Sequence, residues 1–340
     1  MIGAIALALC GCHNPVFDDE GDCEVTYGLR FVYEKNLDWA DAFPTLVNRV
    51  DLYAFDSNGV FVKEYQLTGA EVFQPGYTMT LDLQPGDYTL VAWAALETGV
   101  TLENGFNIPQ MTKGVSTLND LTCTVKTESN AEYSAYSNLR LPFLYNGNLS
   151  VNLPDSQDGA DYYYTMYLTK DTNHVRAMVQ KIGSDITAEE VEVVITAPDE
   201  TMAWNNELIG NNDVTYLAWD IQNDELGEAG NEGTENIYTG VVADLMTGRF
   251  TDKMLNSAYL SVINTETEEL MFKVPVVQYA LMGKQYYETA YGKMMTDQEY
   301  LDRQSEYVMT FFVDKGLNLQ YTVLDVLSWR VVIRNYDVGD

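Results

Sequence analysis

Two cysteines near the start of the sequence, Cys10 and Cys12, stand where a thiol could be acylated. They follow residues 1–9, MIGAIALAL, which are apolar and fewer than the roughly 20 residues that cross a bilayer as a helix. A short apolar run is typical of a secretory signal peptide. The stretch LCGC (9–12) resembles a bacterial lipobox, in which a small residue precedes the acylated cysteine. Because a glycine precedes Cys12 and a leucine precedes Cys10, we predict residues 1–11 as a signal peptide and Cys12 as the lipidation site.

The segment after Cys12 is polar and acidic. No Lys or Arg precedes the apolar run, which departs from a usual signal peptide, and a buried N-terminal strand is the alternative. Polar segments cannot bury enough apolar surface to fold alone, so we predict residues 12–22 as a flexible tether. Acidic residues directly after a lipidated cysteine are similar to the export signal of Bacteroidetes surface lipoproteins. They predict an outer-membrane protein exposed at the cell surface rather than at the inner leaflet. The acidic residues are Asp18, Asp19, Glu20 and Asp22.

Two further cysteines, Cys23 and Cys123, remain for disulfide chemistry. An exported protein passes through an oxidising compartment, where a disulfide can persist. The two thiols allow one intramolecular pair, Cys23–Cys123, and two separate buried thiols are the alternative. A metal site is not predicted from them, because neither histidine, His13 or His174, shows ligand spacing with a cysteine pair.

Catalytic signatures are absent from the sequence. It contains no GxSxG, HExxH or Cys–His pattern, and His174 lies in DTNH (171–174), which is typical of a turn. The 51 Asp and Glu residues leave a pair of catalytic carboxylates open as an alternative, because a sequence does not give their separation. We predict a protein that is not an enzyme and needs no cofactor.

The charge balance excludes one class of partner. The chain has 19 Lys and Arg residues against 51 Asp and Glu residues, so its net charge is −32. A chain this acidic repels the phosphates of nucleic acids, and no nucleic acid partner is predicted. The acidity is typical of a soluble protein in an extracellular setting, and a calcium-loaded surface is the alternative.

Oxygen-rich stretches are weak calcium candidates. Asn211, Asn212 and Asp213 follow one another, although an ordinary solvated loop has the same composition. The stretch DSNG (56–59) resembles the start of a calcium loop, but position 12 of that loop is Leu67 instead of a glutamate. The sequence favours a hairpin turn at 56–59.

Two aromatic residues, Tyr163 and Trp219, could stack on sugar rings. Tyr163 lies in DYYY (161–164), and Trp219 precedes an aspartate. A strand with both core and surface tyrosines is the alternative explanation of such a run. These two residues are therefore candidates only if the protein binds glycans.

Alternation of apolar and polar residues predicts strands along most of the chain. Asn-Gly between the alternating runs 50–56 and 60–67 predicts a hairpin, because both residues tolerate positive φ. The stretch NLDWADAF (36–43) breaks the alternation and predicts a short helix that Pro44 ends. TDQE (296–299) forms a capping box and predicts the start of a second helix.

Short strands separated by turns predict an all-β fold of two tandem β-sandwich domains with one or two short helices. About fourteen strands are expected, including LMFKVPVV (270–277), whereas residues 98–137 are expected to form a long loop region with one or two short elements. The polar stretch DSQDGAD (155–161) is the candidate linker. The predicted domains are therefore 23–155 and 156–340.

Three segments carry a resemblance to a known family. The run from 22 to 62, the strand QPGDYTLVAW (84–93) and the segment 307–335 resemble the FimB-like fimbrial anchor family of Bacteroidetes. The resemblance implies two transthyretin-like β-sandwich domains in a lipoprotein at the base of a pilus. Such a protein anchors the stalk subunit, a pilin, to the outer membrane and limits the length of the fibre.

An anchor needs a surface that holds its neighbour. Sheet edges offer unpaired backbone groups that a partner strand can fill, so we expect the stalk subunit at an edge or groove of the C-terminal domain. A surface adhesin or glycan-binding lipoprotein with the same fold is the alternative function, because one sandwich fold supports many functions.

Overall fold

The structure of the chain, a computed structural model, describes residues 25–155, 160–227, 237–326 and 329–334. The predicted signal peptide and tether, with Cys12, His13 and Cys23, lie outside the described residues. Among the described residues, no helix has the length and apolar character needed to cross a membrane.

Strands make up most of the regular structure in the described ranges, with five short α-helices. The strands of the first part of the chain are β1 (Thr26–Val32), β2 (Arg49–Asp56), β3 (Phe61–Thr68), β4 (Met79–Thr80), β5 (Gly86–Leu96), β6 (Phe106–Asn107), β7 (Thr122–Val125), β8 (Tyr136–Ser137), β9 (Phe143–Leu153), β10 (Asp161–Tyr167) and β11 (Thr169–Lys170). Those that follow are β12 (Asn173–Lys181), β13 (Val191–Ala197), β14 (Thr201–Ala203), β15 (Leu208–Ile209), β16 (Val214–Leu217), β17 (Asp220–Gly227), β18 (Ile237–Thr247), β19 (Tyr259–Asn264), β20 (Leu270–Pro275), β21 (Glu306–Val313), β22 (Leu319–Val326) and β23 (Trp329–Arg334). The helices are α1 (Phe43–Leu46), α2 (Leu102–Gly105), α3 (Val276–Met282), α4 (Lys284–Tyr291) and α5 (Asp297–Arg303).

Two sheets form what we call the first sandwich. One has the strand order β10-β1-β4, and the other has the order β11-β9-β5-β2-β3. Alternate residues of each strand point inward, as the period of two requires, and form one apolar cluster. Its fully buried members include Leu29, Leu52, Leu90 and Met166.

The second sandwich consists of a six-stranded sheet and a five-stranded sheet. Their orders are β17-β18-β12-β21-β22-β23 and β20-β19-β13-β16-β8. The rings of Phe272 on β20 and Phe311 on β21 lie 5.1 Å apart, so the two sheets meet across their inner faces. The all-β sandwich fold expected from the alternation is confirmed.

A four-stranded sheet, with order β15-β14-β7-β6, connects the two sandwiches. It shares one apolar cluster with Trp93 of β5 and with Ile195 of β13. Strand β5 is therefore covered on both faces, which explains why its central residues LVAWAA are all apolar. Residues 98–137, expected as a long loop region with one or two short elements, contribute three short strands, β6, β7 and β8, to the sheets.

Strand pairing continues the first sandwich beyond the predicted linker at 155–161. Strand β10 pairs in parallel with β1, and β11 pairs with β9. The domain boundary between residues 155 and 156 stays a prediction, and the pairing favours a division near Asp171, just before β12 begins.

The hairpin predicted at 56–59 is confirmed. Strands β2 and β3 pair in antiparallel register on either side of it, and Gly59 has a φ of +72°. The carboxylate of Asp56 accepts hydrogen bonds from the backbone N–H groups of Asn58 at 2.9 Å and Val60 at 3.0 Å. Asp56 thus stabilises the turn itself, which is a usual role of aspartate at this position.

The first predicted helix is wrong in its bounds. Pro44 lies in the first turn of α1 instead of ending a helix over 36–43. The first turn needs no N–H from proline, so Pro44 is well placed there. The backbone of Trp39, with a φ of +56°, cannot continue a right-handed helix before it.

The helix predicted from the capping box is confirmed. The hydroxyl of Thr296 accepts a hydrogen bond from the backbone N–H of Glu299 at 3.1 Å, at the start of α5. The strand predicted at 270–277 ends at Pro275, where α3 begins. Buried β-branched residues such as Val276 and Val277 give this helix the pattern of a strand.

Candidate functional site at the junction of the two sandwiches

The loop after β1 contacts the second sandwich through a buried carboxylate. The ammonium nitrogen of Lys35 lies 2.6 Å from one oxygen of Asp302 on α5, and the guanidinium of Arg249 lies 2.7 Å from the other oxygen. Burial opposes the charge of Asp302, but Arg249 and Lys35 together hold its pKa below the ordinary value. One carboxylate is therefore shared by a cation from each side of the junction.

A second buried carboxylate, Asp171, lies at the crossing from β11 to β12. Its side chain is fully buried, accepts a hydrogen bond from Asn206 at 2.8 Å and lies 3.6 Å from the guanidinium of Arg249. Burial raises the pKa of Asp171 to about 7, although Arg249 and Asn206 favour the charged form. A buried network of this kind is stable only while its members remain paired.

Trp39 fixes the same loop against α4 and α5. Its indole N–H donates to the hydroxyl of Tyr287 at 2.9 Å, and that hydroxyl donates to the carbonyl of Leu37. The ammonium of Lys293 lies 3.7 Å from the ring centroid of Trp39, and the guanidinium carbon of Arg303 lies 3.4 Å from it. Two cations thus cover the ring, an arrangement that stabilises it through its electron-rich faces.

Arg303 also holds the backbone of this loop. It donates to the carbonyl of Glu34 at 3.0 Å and to the carbonyl of Asn36 at 3.1 Å. Residues 34–39 are therefore bound to the second sandwich by ionic, aromatic and backbone contacts together. The charged groups of the junction are therefore paired within the protein, across the two sandwiches.

His174 belongs to a charged row on the outer face of the six-stranded sheet. One ring nitrogen lies 2.7 Å from Glu306 on β21, and the other lies 2.8 Å from Asp244 on β18. Arg176 donates two further hydrogen bonds to Asp244. The expectation of a turn residue is wrong, because β12 already begins at Asn173.

Of the cysteines named in the predictions, Cys123 alone lies within the described residues. Cys123 on β7 is fully buried, and burial raises the pKa of its thiol well above the ordinary value. The pairing of Cys23 with Cys123 and the lipidation of Cys12 stay predictions, because Cys12 and Cys23 lie outside the described residues.

The calcium candidates Asn211, Asn212 and Asp213 lie exposed between β15 and β16. The side-chain amide of Asn212 donates to Glu200 at 2.6 Å. Among the described residues, no group of three or more His, Cys, Asp or Glu side chains is placed to hold a metal ion. A calcium site at 211–213 stays a prediction.

The two glycan candidates lie on different sandwiches. Tyr163 is 69% exposed on the outer face of β10, whereas Trp219 is partly buried just before β17. The guanidinium of Arg140 lies 4.9 Å from the centroid of the Trp219 ring. The structure does not bring these two side chains together into one site.

Several strands end a sheet and pair on one side only, as far as the described residues show. In the six-stranded sheet these are β17, which pairs with β18, and β23, which pairs with β22. Val332 on β23 is half exposed. Edges of this kind are the places where a partner strand can extend a sheet.

The structure defines a class of protein: two β-sandwiches joined by a buried polar junction and a shared apolar core, with edge strands open to partners. The chain belongs to the family of fimbrillin-A associated anchor proteins Mfa1 and Mfa2, whose family model matches residues 19–335. This membership confirms the resemblance to fimbrial anchors and places the chain among structural proteins of the cell envelope.

Solved structures agree with the fold. A candidate polysaccharide-binding protein from Bacteroides thetaiotaomicron is 25% identical, with a TM-score of 0.74 over 92% of this chain and 100% of that one. A candidate adhesin from the same organism is 27% identical, with a TM-score of 0.74 over 91% of this chain and 97% of that one. The fimbrial anchor protein Mfa2 from Porphyromonas gingivalis is 16% identical, with a TM-score of 0.64 over 91% of this chain and 99% of that one, and shows the fold alone. Comparison with curated protein sequences found no match.

Proposed function

We propose that this protein anchors the stalk of a fimbrium to the outer membrane through a lipid on Cys12 and limits the length of the fibre. Membership of the anchor family supports the role. The lipid and the membrane are parts of the proposal supported by the lipobox-like stretch LCGC (9–12), and the stalk subunit as partner is supported by the family. Two or more acyl chains would hold the protein firmly, because one chain binds a membrane only marginally.

The parallel pairing of β1 with β10 is the observation that carries the proposal. Seven residue pairs run in register from Thr26 opposite Asp161 to Val32 opposite Tyr167. The proposed tether joins the chain at the N-terminal end of β1. The C-terminal end of β10 leads through β11 and Asp171 into the second sandwich.

Tension between the membrane and a stalk on the second sandwich would act on this pair in shear. The tether pulls β1 at its N-terminal end, and the second sandwich pulls β10 at its C-terminal end and also holds the loop after β1 through Lys35 and Arg303. Because the strands are parallel and adjacent, the part of the load that reaches β10 slides one strand along the other. The evenly spaced hydrogen bonds of a parallel pair are then loaded together rather than one after another. This geometry suits a protein that holds a fibre against tension.

The stalk subunit is proposed to bind the second sandwich at the side away from the tether. The edge strands β17 and β23 of the six-stranded sheet are the candidate attachment sites, because each lacks a partner on one side among the described strands. An added strand would gain main-chain hydrogen bonds along the edge.

Membrane attachment is tested by a pull-down from native membranes with wild type, Cys12→Ala and the matched control Cys10→Ala. We expect wild type and Cys10→Ala to stay in the membrane fraction and to bring down a stalk subunit. Cys12→Ala should release both proteins into the medium. Release by Cys10→Ala instead, or retention of Cys12→Ala, would overturn the lipidation site, and a lipidated protein that brings down no pilin would overturn the anchor role.

The shear geometry is tested by single-molecule pulling between the N-terminal segment and the second sandwich. Arg30 lies exposed on β1, opposite Thr165 of β10. Arg30→Pro removes a backbone donor from this strand and should lower the rupture force, whereas Arg30→Ala keeps the donor and should not. Equal rupture forces for the two variants would show that the β1–β10 pair does not bear the load.

A further inference from the structure

A cleft of about 550 Å³ lies between the two sandwiches. Tyr167 of β10 and the loop residues Glu34 and Lys35 line it from the first sandwich, and Gln298 and Glu299 of α5 line it from the second. Its volume falls within the range of small-molecule binding sites in proteins. A ligand in the cleft would contact both sandwiches at once.

Tyr167 provides an aromatic face in this cleft. It is 62% exposed, because it points outward from the edge strand β10. The other aromatic residue at the cleft, Trp39, is 36% exposed, and the cationic groups of Lys293 and Arg303 lie over its ring. Tyr167 is therefore the more open ring for stacking with a flat ligand surface.

The polar groups around Tyr167 include both acceptors and a donor. Glu34 is exposed, and Glu299 accepts from Arg303 with one oxygen at 3.1 Å. Lys35 is bonded to Asp302, yet its side chain remains 35% exposed. Hydroxyl groups both donate and accept, so a polyhydroxylated ligand would match carboxylates and an ammonium in one site.

The charged groups of the cleft further restrict the class of ligand that it can bind. The charged groups of the cleft are largely paired with one another, Asp302 with Lys35 and Arg249, and Glu299 with Arg303. An ionic ligand would have to compete with these pairs, and an apolar ligand would bury charged groups without partners. A neutral ligand rich in hydroxyl groups avoids both costs.

We propose that this cleft binds a short neutral oligosaccharide, with Tyr167 stacked on one sugar ring and with Glu34 and Lys35 hydrogen-bonded to its hydroxyl groups. The ligand would contact β10 and the loop after β1, but neither the tether nor the edges of the six-stranded sheet, so its binding can be measured apart from membrane attachment and stalk binding. Tyr163, on the same face of β10 about 13 Å away by strand geometry, does not line the cleft and offers a matched control.

The test uses the full chain on an array of neutral oligosaccharides of two to four pyranose units, followed by calorimetric titration of those that bind. We expect Tyr167→Ala to weaken binding about tenfold or more, equivalent to about 1.4 kcal/mol, and Glu34→Gln to weaken it as well. Tyr163→Ala should bind as wild type does, and thermal melting checks that each variant is folded.

Three outcomes would overturn the proposal. They are the absence of binding by the wild-type chain across the array, unchanged binding by Tyr167→Ala, and a loss with Tyr163→Ala as large as that with Tyr167→Ala. A preference for sulfated or sialylated glycans on a parallel array would contradict the neutral class. None of these outcomes bears on membrane release in the Cys12→Ala experiment, so the two proposals fail separately.

Discussion

Each sandwich contains one long pair of parallel strands, and the two pairs differ in their surroundings. Among the described strands of the first sandwich, β10 ends its sheet, and β1 pairs on its other side only with the two-residue strand β4. In the second sandwich, β12 and β21 lie in the middle of six strands. The same pairing is thus exposed near the proposed tether and enclosed in the second sandwich.

The outer faces of the two pairs differ as well. The outward side chains of β10 include exposed tyrosines, Tyr163 and Tyr167, whereas β12 presents His174 and Arg176, which are bonded to carboxylates on neighbouring strands. The first pair therefore depends on its inner apolar face, and the second pair gains further contacts on its outer face. The same parallel pairing of two strands can therefore lie at the edge of a sheet or in its middle, and the neighbouring strands decide how many contacts support it.

The largest loss of stability is expected from a substitution at the junction of the two sandwiches. Asp302→Ala removes the carboxylate that Lys35 and Arg249 share and leaves the nearly buried Arg249 without its main partner. Breaking a buried ion pair on one side costs about 3–5 kcal/mol, so we expect a loss of that size in the free energy of unfolding. Urea unfolding followed by fluorescence measures it.

Glu299→Gln on the same helix is the control, because Glu299 is partly exposed. It should cost less than about 1 kcal/mol. A loss from Asp302→Ala no larger than that of the control would show that the junction contributes little to stability.

Alanine substitutions on the inner faces of the two parallel pairs should lower the stability by similar amounts. Leu29 on β1 and Met309 on β21 are both almost fully buried. Replacing either with alanine leaves a cavity and should cost about 2–5 kcal/mol. Urea unfolding combined with limited proteolysis should show earlier cleavage within the sandwich that carries the substitution. Identical cleavage patterns in Leu29→Ala and Met309→Ala would show that the sandwiches unfold as one unit and would break the comparison.

The N-terminal cap of α5 stabilises the helix that carries the junction residues Asp302 and Arg303. Thr296→Ala removes the hydrogen bond to the N–H of Glu299 and should cost about 1 kcal/mol. Thr296→Ser keeps the hydroxyl and should restore most of the stability, as measured by thermal melting. Equal melting temperatures for the alanine and serine variants would contradict the capping role.

Substitution of His174 in the charged row on β12 should change the stability least. The direction in which this change depends on pH follows from the pKa of His174. The hydrogen bond to Glu306 raises the pKa of His174 above its ordinary value against the effect of partial burial, and Asp244 adds to the rise. Arg176 and Lys170 are the other charged groups near these carboxylates. A raised folded-state pKa gives stability that is fully present below the unfolded-state pKa, about 6.5, and is lost as the pH rises through the folded-state pKa.

Wild type should therefore exceed His174→Gln in stability by up to about 1 kcal/mol at mildly acidic pH, and the difference should shrink as the solution becomes alkaline. Urea unfolding at a series of pH values gives this difference. Glu306→Gln removes the main cause of the shift, so in that background the pH dependence should weaken. If the difference in stability between wild type and His174→Gln grew as the pH rose, the proposed role of His174 would be contradicted.

Part of the fold could be predicted from short stretches alone. The hairpin at 56–59 follows from Asn-Gly between alternating runs, and the start of α5 follows from the capping box at Thr296. Burial on both faces of β5 is visible in its continuous apolar centre. These features depend on neighbours within a few residues, and the sequence shows such neighbours directly.

Most contacts of the junction and of the charged row on β12 could not be predicted in this way. His174 looked like a turn residue because its partners, Glu306 and Asp244, come from distant strands. The covering of Trp39 by Lys293 and Arg303 likewise joins residues far apart in the chain, and no local signal indicates it.

The sequence by itself determined that this chain is a series of short strands, where one hairpin turns and where one helix begins. Alternation and turn chemistry act between residues that are close in the chain, so they can be read along it. Only the tertiary structure decided that β10 returns to pair with β1 and that α4 and α5 hold the loop after β1. Parallel pairing and buried ion pairs depend on which distant surfaces meet, and that choice is made by the packing of the whole molecule.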